Sequence, residues 1–185
     1  MSPPVVLILA SGRGDRFIAS GGTTHKLHTL LGSKTILQHT LDAVRSCGLP
    51  WHIEDAGHPG MGDSIAAAVG ASRKSTPQAS GWLILPGDLP FIKSSTLLAV
   101  AQALSVTDVV LPRYRGKQGH PVGFSKCCEL ELLKLTGDLG ASSVVRAHRR
   151  LELSIDDVGS VTDIDTMDDL RAARRHIEQS QIRSS

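Results

Sequence analysis

An α/β fold, with a mostly parallel sheet sandwiched between helices, is predicted by three features of this 185-residue sequence. Two apolar runs, VVLILA from Val5 and WLIL from Trp82, lack the alternation of a half-exposed strand and read as strands covered on both faces. Each ends in a turn containing glycine, and a helical pattern follows. Such strand-then-helix units recur along the chain, which argues for parallel strands joined by helical crossovers.

Taken in order, Val5 to Ala10 is a strand that ends in the turn ASGRGDR. After a polar loop, Thr35 opens a helix with Leu37, Leu41 and Val44 on one face, closed by Gly48 and Pro50. Trp51 to Glu54 is a short strand, GHPGMGD a second glycine turn, and Ile65 to Ser72 a helix of small residues. Trp82 to Leu85 is a strand broken by Pro86 and Gly87, and Ser94 or Ser95 caps a helix carrying Leu97, Ala101 and Leu104. Val109 to Leu111 is a strand, and RYRGKQGHPVGF an excursion with a returning strand. Glu129 to Leu135 is a helix, and Gly137 to Gly140 turns into another through Val145. Leu151 to Ile155 is a strand. Thr166 and Asp169 form a capping-box pattern for a last helix to about Glu178, with a flexible tail over 179–185. No linker, repeat or low-complexity block divides the chain, so a single domain over residues 1–185 is expected.

Composition narrows the function. Twenty Lys and Arg against eighteen Asp and Glu leave a charge of +2, too mild for a nucleic-acid footprint, and six aromatic residues are too few for a base-stacking platform. Val5 to Ala10, the longest apolar run, is far below the roughly 20 residues of a membrane helix, and no basic residue precedes it as in a secretory signal. Three cysteines, two of them adjacent at Cys127 and Cys128, make no paired framework and suit a reducing cytoplasm.

In an open parallel sheet, ligands sit at the carboxyl ends of the strands, so the loops there carry the chemistry. The first, Ala10 to Lys26, combines Gly12 and Gly14 with Arg13, Arg16 and Lys26: close backbone approach and positive charge for a polyphosphate. It is not a dinucleotide fingerprint, since Phe17 takes the third glycine position, and Gly32-Ser33-Lys34-Thr35 lacks the upstream glycine of a GxxxxGK[ST] loop. The second, LILPGDLPFI, delivers Asp88 at a strand end, as a metal ligand or orienter, or as a turn acid. In the third, VTDIDTMDDL, Asp163 and Asp165 precede the last helix, one free to cap it and the other spare. From Glu152 to Asp169 there are seven acids and no base, an electrostatic cost that a divalent cation or simple solvation would relieve.

In this order, ASGRGDRF…HKL, LPGDLP and VTDIDTMDDL resemble the MobA-like nucleotidyltransferases, and within these the molybdenum cofactor cytidylyltransferases. GMGDSI at Gly60 to Ile65, GHPVGF at Gly119 to Phe124 and GDLGAS at Gly137 to Ser142 strengthen the likeness, so the motifs span most of the chain. The resemblance implies a three-layer α/β/α Rossmann-like fold and transfer of a nucleoside monophosphate from an NTP to an acceptor phosphate, releasing pyrophosphate. It assigns the triphosphate to Ala10, Ser11, Gly12, Arg13, Gly14 and Arg16, with Lys26 closing that signature. Gly60, Met61, Gly62 and Ser64 fall near base and ribose, and Pro86 and Gly87 beside Asp88. Mg²⁺ falls to Asp88 and Asp163, the catalytic roles to Arg13, Lys26 and Asp88, and the acceptor side to His120, Pro121, Asp138 and Gly140.

This chain departs from the family pattern in several places. Phe17 to Thr24 lengthens the phosphate loop, the stretch from Leu49 to Gly60 is short by about one strand and helix, and Met167 stands where relatives often have proline. Ser142 replaces the arginine common after GDxGA. The resemblance therefore implies CTP and a molybdopterin-type acceptor in a cytoplasmic, Mg²⁺-dependent enzyme making transient contact with a molybdoenzyme, with no nucleic-acid or membrane partner. Guanylyl transfer to the same cofactor and cytidylyl transfer to a sugar phosphate such as methylerythritol phosphate are the neighbouring readings. A non-catalytic carrier of nucleotide or molybdopterin is the reading from another class. His25 and His28 flank Lys26, whose charge repels a cation, so they are not read as metal ligands. Cys127 and Cys128 read as small buried hydrophobes, and the basic clusters at Arg146 to Arg150 and Arg171 to Arg175 as solvated faces.

Overall fold

The computed structural model describes residues 2–183. Strand β1 (Val5–Leu9) runs into the glycine loop, where a short helix, α1 (Asp15–Ala19), and a 3₁₀ turn at Lys26–His28 interrupt what the sequence predicts as one polar loop. A small hairpin, β2 (Leu30–Leu31) and β3 (Lys34–Thr35), then leads into α2 (Ile36–Cys47). Thr35 caps α2 by accepting from the Gln38 amide, the Gln38 side chain accepts from the Thr35 amide, and Gly48 closes the helix in the left-handed conformation.

Next come β4 (Trp51–Glu54), α3 (Met61–Ser75), β5 (Gly81–Pro86) and α4 (Ser94–Ala103). The strand predicted at Val109 to Leu111 runs on to Tyr114 as β6 (Val109–Tyr114), and the excursion after it holds its hairpin partner β7 (Lys117–Gln118) and the returning β8 (Val122–Ser125). Helices α5 (Glu129–Leu133) and α6 (Ser142–Ala147), strand β9 (Arg150–Ser154) and α7 (Met167–Arg183) complete the order. Helix α7 outruns its predicted end at Glu178: residues 179–183 of the expected tail are helical, and 184–185 lie outside the described residues.

The sheet runs β4-β1-β5-β8-β6, with β9 on the far side of β6 and β7 extending its hairpin. β4, β1, β5, β6 and β9 share one direction and β8 opposes them. Successive residues of β1 point to opposite faces, and both faces are buried. Val5 and Leu7 pack with Ile65, Val69 and Trp82 under α3, while Val6 and Ile8 pack with Val44, Leu83, Leu97 and Val100 under α2 and α4. That is why the strand reads as an unbroken apolar run. No helix among the described residues is long and apolar enough to cross a membrane.

Two helix starts differ from expectation. Neither Ser94 nor Ser95 caps α4; its N-cap is Lys93, whose amide donates to the Asp157 carboxylate at 2.9 Å. Asp157 also accepts from Thr96 Oγ1 at 2.6 Å and the Gly159 amide at 2.9 Å, a capping role filled from 64 residues away that no local pattern reveals. At α7, neither Asp163 nor Asp165 caps; Thr166 and Asp169 cap reciprocally, as their spacing predicts. Asp157→Ala should remove three hydrogen bonds to a buried carboxylate and destabilise the fold by about 2 kcal/mol or more, measured as a lowered urea midpoint with unchanged slope.

Candidate active site

Asp88 is placed by backbone bonds on three sides. The Gly87 amide donates to Leu9 O at the end of β1, Thr40 Oγ1 of α2 donates to Gly87 O, and the Ile164 amide donates to Asp88 O. The last of these ties the strand-end turn to the segment preceding α7, bringing two acidic motifs 75 residues apart in sequence to one edge of the sheet.

Lys26 reaches the same point from the glycine loop. Its Nζ donates to Asp88 Oδ2 at 2.6 Å and to Asp165 Oδ1 at 2.7 Å, and Arg16 pairs with Asp165 at 2.8 Å. Burial opposes the Lys26 charge, but the carboxylates of Asp88 and Asp165 outweigh it and raise its pKa above the ordinary 10.5. Asp165 is also driven upward by burial, and there the opposing charges of Lys26 and Arg16 win and hold it below 3.8. Asp163 moves the other way: burial, then the nearby negative charges of Asp165 and Asp88, push it above 3.8.

The lengthened stretch Phe17 to Thr24 leaves Lys26 in place because it is anchored. Phe17 is buried with Leu27, Leu31, Ile164 and Leu170 in a third apolar cluster beneath the cleft. Gly22 lies flat on the Phe17 ring, where a Cβ would come within 2.3 Å, and Ser20 Oγ accepts from the Met167 amide at the start of α7. Gly14, at φ 68°, turns the loop beside the Lys26 methylenes. His25 pins it from outside: Nδ1 accepts from the Leu27 amide, so the Nε2 proton faces Gly12 O at 2.6 Å. Sequence reasoning missed this pin, since its partner is a backbone oxygen 13 residues away.

These elements wall a cleft of about 780 Å³. It is lined by Ser11, Gly12, Arg13, Gly14, Arg16, Lys26, Gly60, Met61, Ser64, Pro86, Gly87, Asp88, His120, Asp138 and Asp163, all expected site residues. Four others lie outside its lining. Ala10 lines a smaller hollow on the other side of the loop, and its amide is bound to Glu54 O. Gly62 packs against the Thr136 backbone, where a Cβ would meet it at 2.8 Å, and its amide donates to Gly137 O. Gly140 sits beside the Met61 sulfur, and Pro121 follows His120 across a cis peptide bond. The contacts of Gly60 and Gly62 with residues 136–138 carry Asp138 to the mouth of the cleft. Asp165, His58, Gln118 and Ser160 also line it, unassigned from the sequence. The DID spacing showed two acids but not which would face Lys26, and Glu54 with His58, bonded at 3.0 Å, offered no recognisable pattern.

Asp88 and Asp163 share this cleft, and the residues present fit a divalent cation. Asp88 Oδ1 is buried without a hydrogen-bond partner, and the Asp163 carboxyl is raised by burial first and by the nearby carboxylates of Asp165 and Asp88 second. His120 brings another orphan: its Nδ1 is buried and unpartnered, and burial lowers its pKa, which favours the neutral ring.

Residues 43–152, more than half of the sequence, match the family described as the MobA-like NTP transferase domain. The chain belongs to that family. Among solved structures it is similar to Rv0371c of Mycobacterium tuberculosis H37Rv, at 25% identity over 94% of this chain and 98% of that one, with a TM-score of 0.78. Rv0371c has also been solved in complex with manganese. A nucleotidyl transferase from Methanothermobacter thermautotroptrophicus shares the fold at 17% identity, 97% and 100% coverage and a TM-score of 0.77. So does molybdopterin-guanine dinucleotide biosynthesis protein A from Archaeoglobus fulgidus, at 16%, 95% and 99% coverage, and 0.67. One curated protein, the LysR family substrate binding domain-containing protein YagP of Escherichia coli, is 73% identical over 26 residues. That stretch is 14% of this chain and 19% of YagP, so the match spans about a fifth of that relative's length.

Asp165→Asn should lower stability at neutral pH by about 1–3 kcal/mol, because Lys26 and Arg16 lose a charged partner. The depressed pKa of Asp165 contributes stability above 3.8 that is lost as pH falls through its folded value. Thermal melts of the two proteins should therefore converge in acid.

Proposed function

We propose that this nucleotidyltransferase is a single domain that moves a nucleoside monophosphate, CMP from CTP, onto the phosphate of a molybdopterin-type acceptor and releases pyrophosphate. The observation that carries the reading is the convergence of Lys26, Asp88 and Asp163 beside the glycine loop in one cleft. The choice of CTP and of the pterin acceptor rests on the likeness of the motifs to the cytidylyltransferase branch. The known dinucleotide-biosynthesis protein among the similar structures supports the acceptor class.

An acceptor phosphate is already an anion, so the reaction needs no strong general base. The barrier is repulsion between anions and charge growing on the departing pyrophosphate. The loop from Ser11 to Arg16 lies against the triphosphate. Arg13 is mobile enough to follow it: its ion pair with Asp15, at 3.5 Å between two largely exposed side chains, holds it weakly. Lys26 exchanges its carboxylate partners for phosphate oxygens and, with Arg13, stabilises the leaving group. Asp88 and Asp163 would hold a divalent cation, Mg²⁺ in this proposal, which when bound neutralises phosphate charge and draws electron density from the α-phosphorus. On the acceptor side, the neutral His120 ring offers its unpartnered Nδ1 as a hydrogen-bond acceptor, and Asp138 borders the entrance.

Pyrophosphate release tests the reading. Purified protein with molybdopterin and a divalent cation should release pyrophosphate with CTP in preference to the other three NTPs. Preference for GTP would assign guanylyl transfer, and turnover only with methylerythritol phosphate a sugar-phosphate acceptor. Nucleotide binding with no pyrophosphate from any pair would leave the carrier reading. Asp88→Asn should lower turnover by about 10²-fold or more while the fold persists; near-normal turnover would remove Asp88 from its role.

A further inference from the structure

At the opposite edge of the sheet, beyond the first residue of β5, the chain leaving β8 turns through Lys126–Cys128, fixed by a bond from the Lys126 amide to Ser80 O. His148, between α6 and β9, meets this turn. Cys127 Sγ lies 3.9 Å from Cys128 Sγ and 3.9 Å from His148 Nδ1, and the three ligand atoms all fall within 4.8 Å of one another. His148 Nε2 is bonded to Glu131 Oε1 at 2.9 Å. Donation from Nε2 to the carboxylate fixes the tautomer and turns the Nδ1 lone pair toward the sulfurs.

We propose that Cys127, Cys128 and His148 form a binding site for one thiophilic divalent cation, of which Zn²⁺ is the natural occupant, separate from the nucleotide cleft. Tetrahedral zinc with bonds of about 2.3 Å to sulfur and about 2.05 Å to nitrogen sets its ligands roughly 3.8 Å apart for S···S and 3.6 Å for S···N. The two separations from Cys127 Sγ, both 3.9 Å, match to within a few tenths of an ångström, and the third pair lies within 4.8 Å, a gap that a small rotation of the His148 side chain closes. Side-chain burial grades from Cys128, fully buried against the core, to the exposed Cys127, so an ion has a path in and the fourth position faces water. Burial, then the neighbouring Cys127, pushes the Cys128 thiol up to about 12, so that sulfur keeps its proton in the free protein. Binding leaves two thiolates and one imidazole on the cation and sends the two thiol protons to solvent. Cys47, in the core layer beneath α2, is remote from the cluster and takes no part.

Cobalt substitution tests this directly. The full chain, reduced with a non-chelating phosphine, should bind one Co²⁺ with thiolate-to-metal charge-transfer bands and tetrahedral d–d absorption, and Zn²⁺ should displace it. Cys127→Ser alters an exposed side chain and His148→Ala a mostly buried one, so circular dichroism checks that both fold; each should weaken or abolish the bands. Glu131→Gln should retain them and weaken binding by about tenfold or more. Asp88→Asn, at the other edge of the sheet, should leave them intact, so the result stands whether or not the cleft is a cytidylyltransferase site. No charge-transfer bands in the reduced protein, or bands unchanged when Cys127 and His148 are both replaced, would overturn the proposal.

Discussion

The cleft depends on one ammonium group. Lys26 joins two carboxylates from distant parts of the chain, Asp88 at the end of β5 and Asp165 ahead of α7, with separations of 2.6 and 2.7 Å. All three side chains are less than a fifth exposed, so neither partner could stand alone without a large desolvation cost. The pairing fixes the glycine loop against the strand ends and tilts the segment with Asp163 into the same space. In the proposed reaction the same lysine exchanges these acids for phosphate oxygens.

The acidic stretch from Glu152 to Asp169 shows how one composition signal divides into several jobs. Asp157 caps α4, Asp169 caps α7 with Thr166, Glu152 pairs with Arg113, and Asp168 pairs with Arg171. Only Asp163 and Asp165 enter the cleft. Of these, Asp165 is satisfied by cations and Asp163 is not, which is why their pKa values move in opposite directions. Asp163 and the unpartnered Oδ1 of Asp88 are the two carboxyl features that the proposed divalent cation would engage.

What was legible in the sequence follows from how local each interaction is. The strands β1 and β5, the start of α2 at Thr35 and the Thr166–Asp169 pair use neighbours within a few residues, and apolar pattern or spacing shows them; the capping box between Thr35 and Gln38 is just as local but was not read. Helix α1 and the β2–β3 hairpin are local but too short, at five residues and at two residues per strand, to carry a periodic pattern, and the cap supplied by Asp157 comes from 64 residues away. At the site, the charged loop with Lys26 and the strand-end Asp88 stood out by residue type and position, whereas the choice of Asp163 over Asp165 came from the family resemblance alone. His25 was discounted as a metal ligand, yet its bond to Gly12 O gives it a structural role that only the folded loop reveals. At Gly62, expected near base and ribose, the fold adds a packing reason for glycine: the Thr136 backbone lies where a Cβ would be.

Diffraction at the manganese absorption edge, from crystals grown with Mn²⁺ and a non-hydrolysable CTP analogue, tests this account most directly. It predicts an anomalous peak within bonding distance of both Asp88 and Asp163, with the Lys26 ammonium moved off its carboxylates and onto phosphate oxygens. A nucleotide bound with Lys26 still bridging Asp88 and Asp165, or a cation held away from those two aspartates, would contradict it.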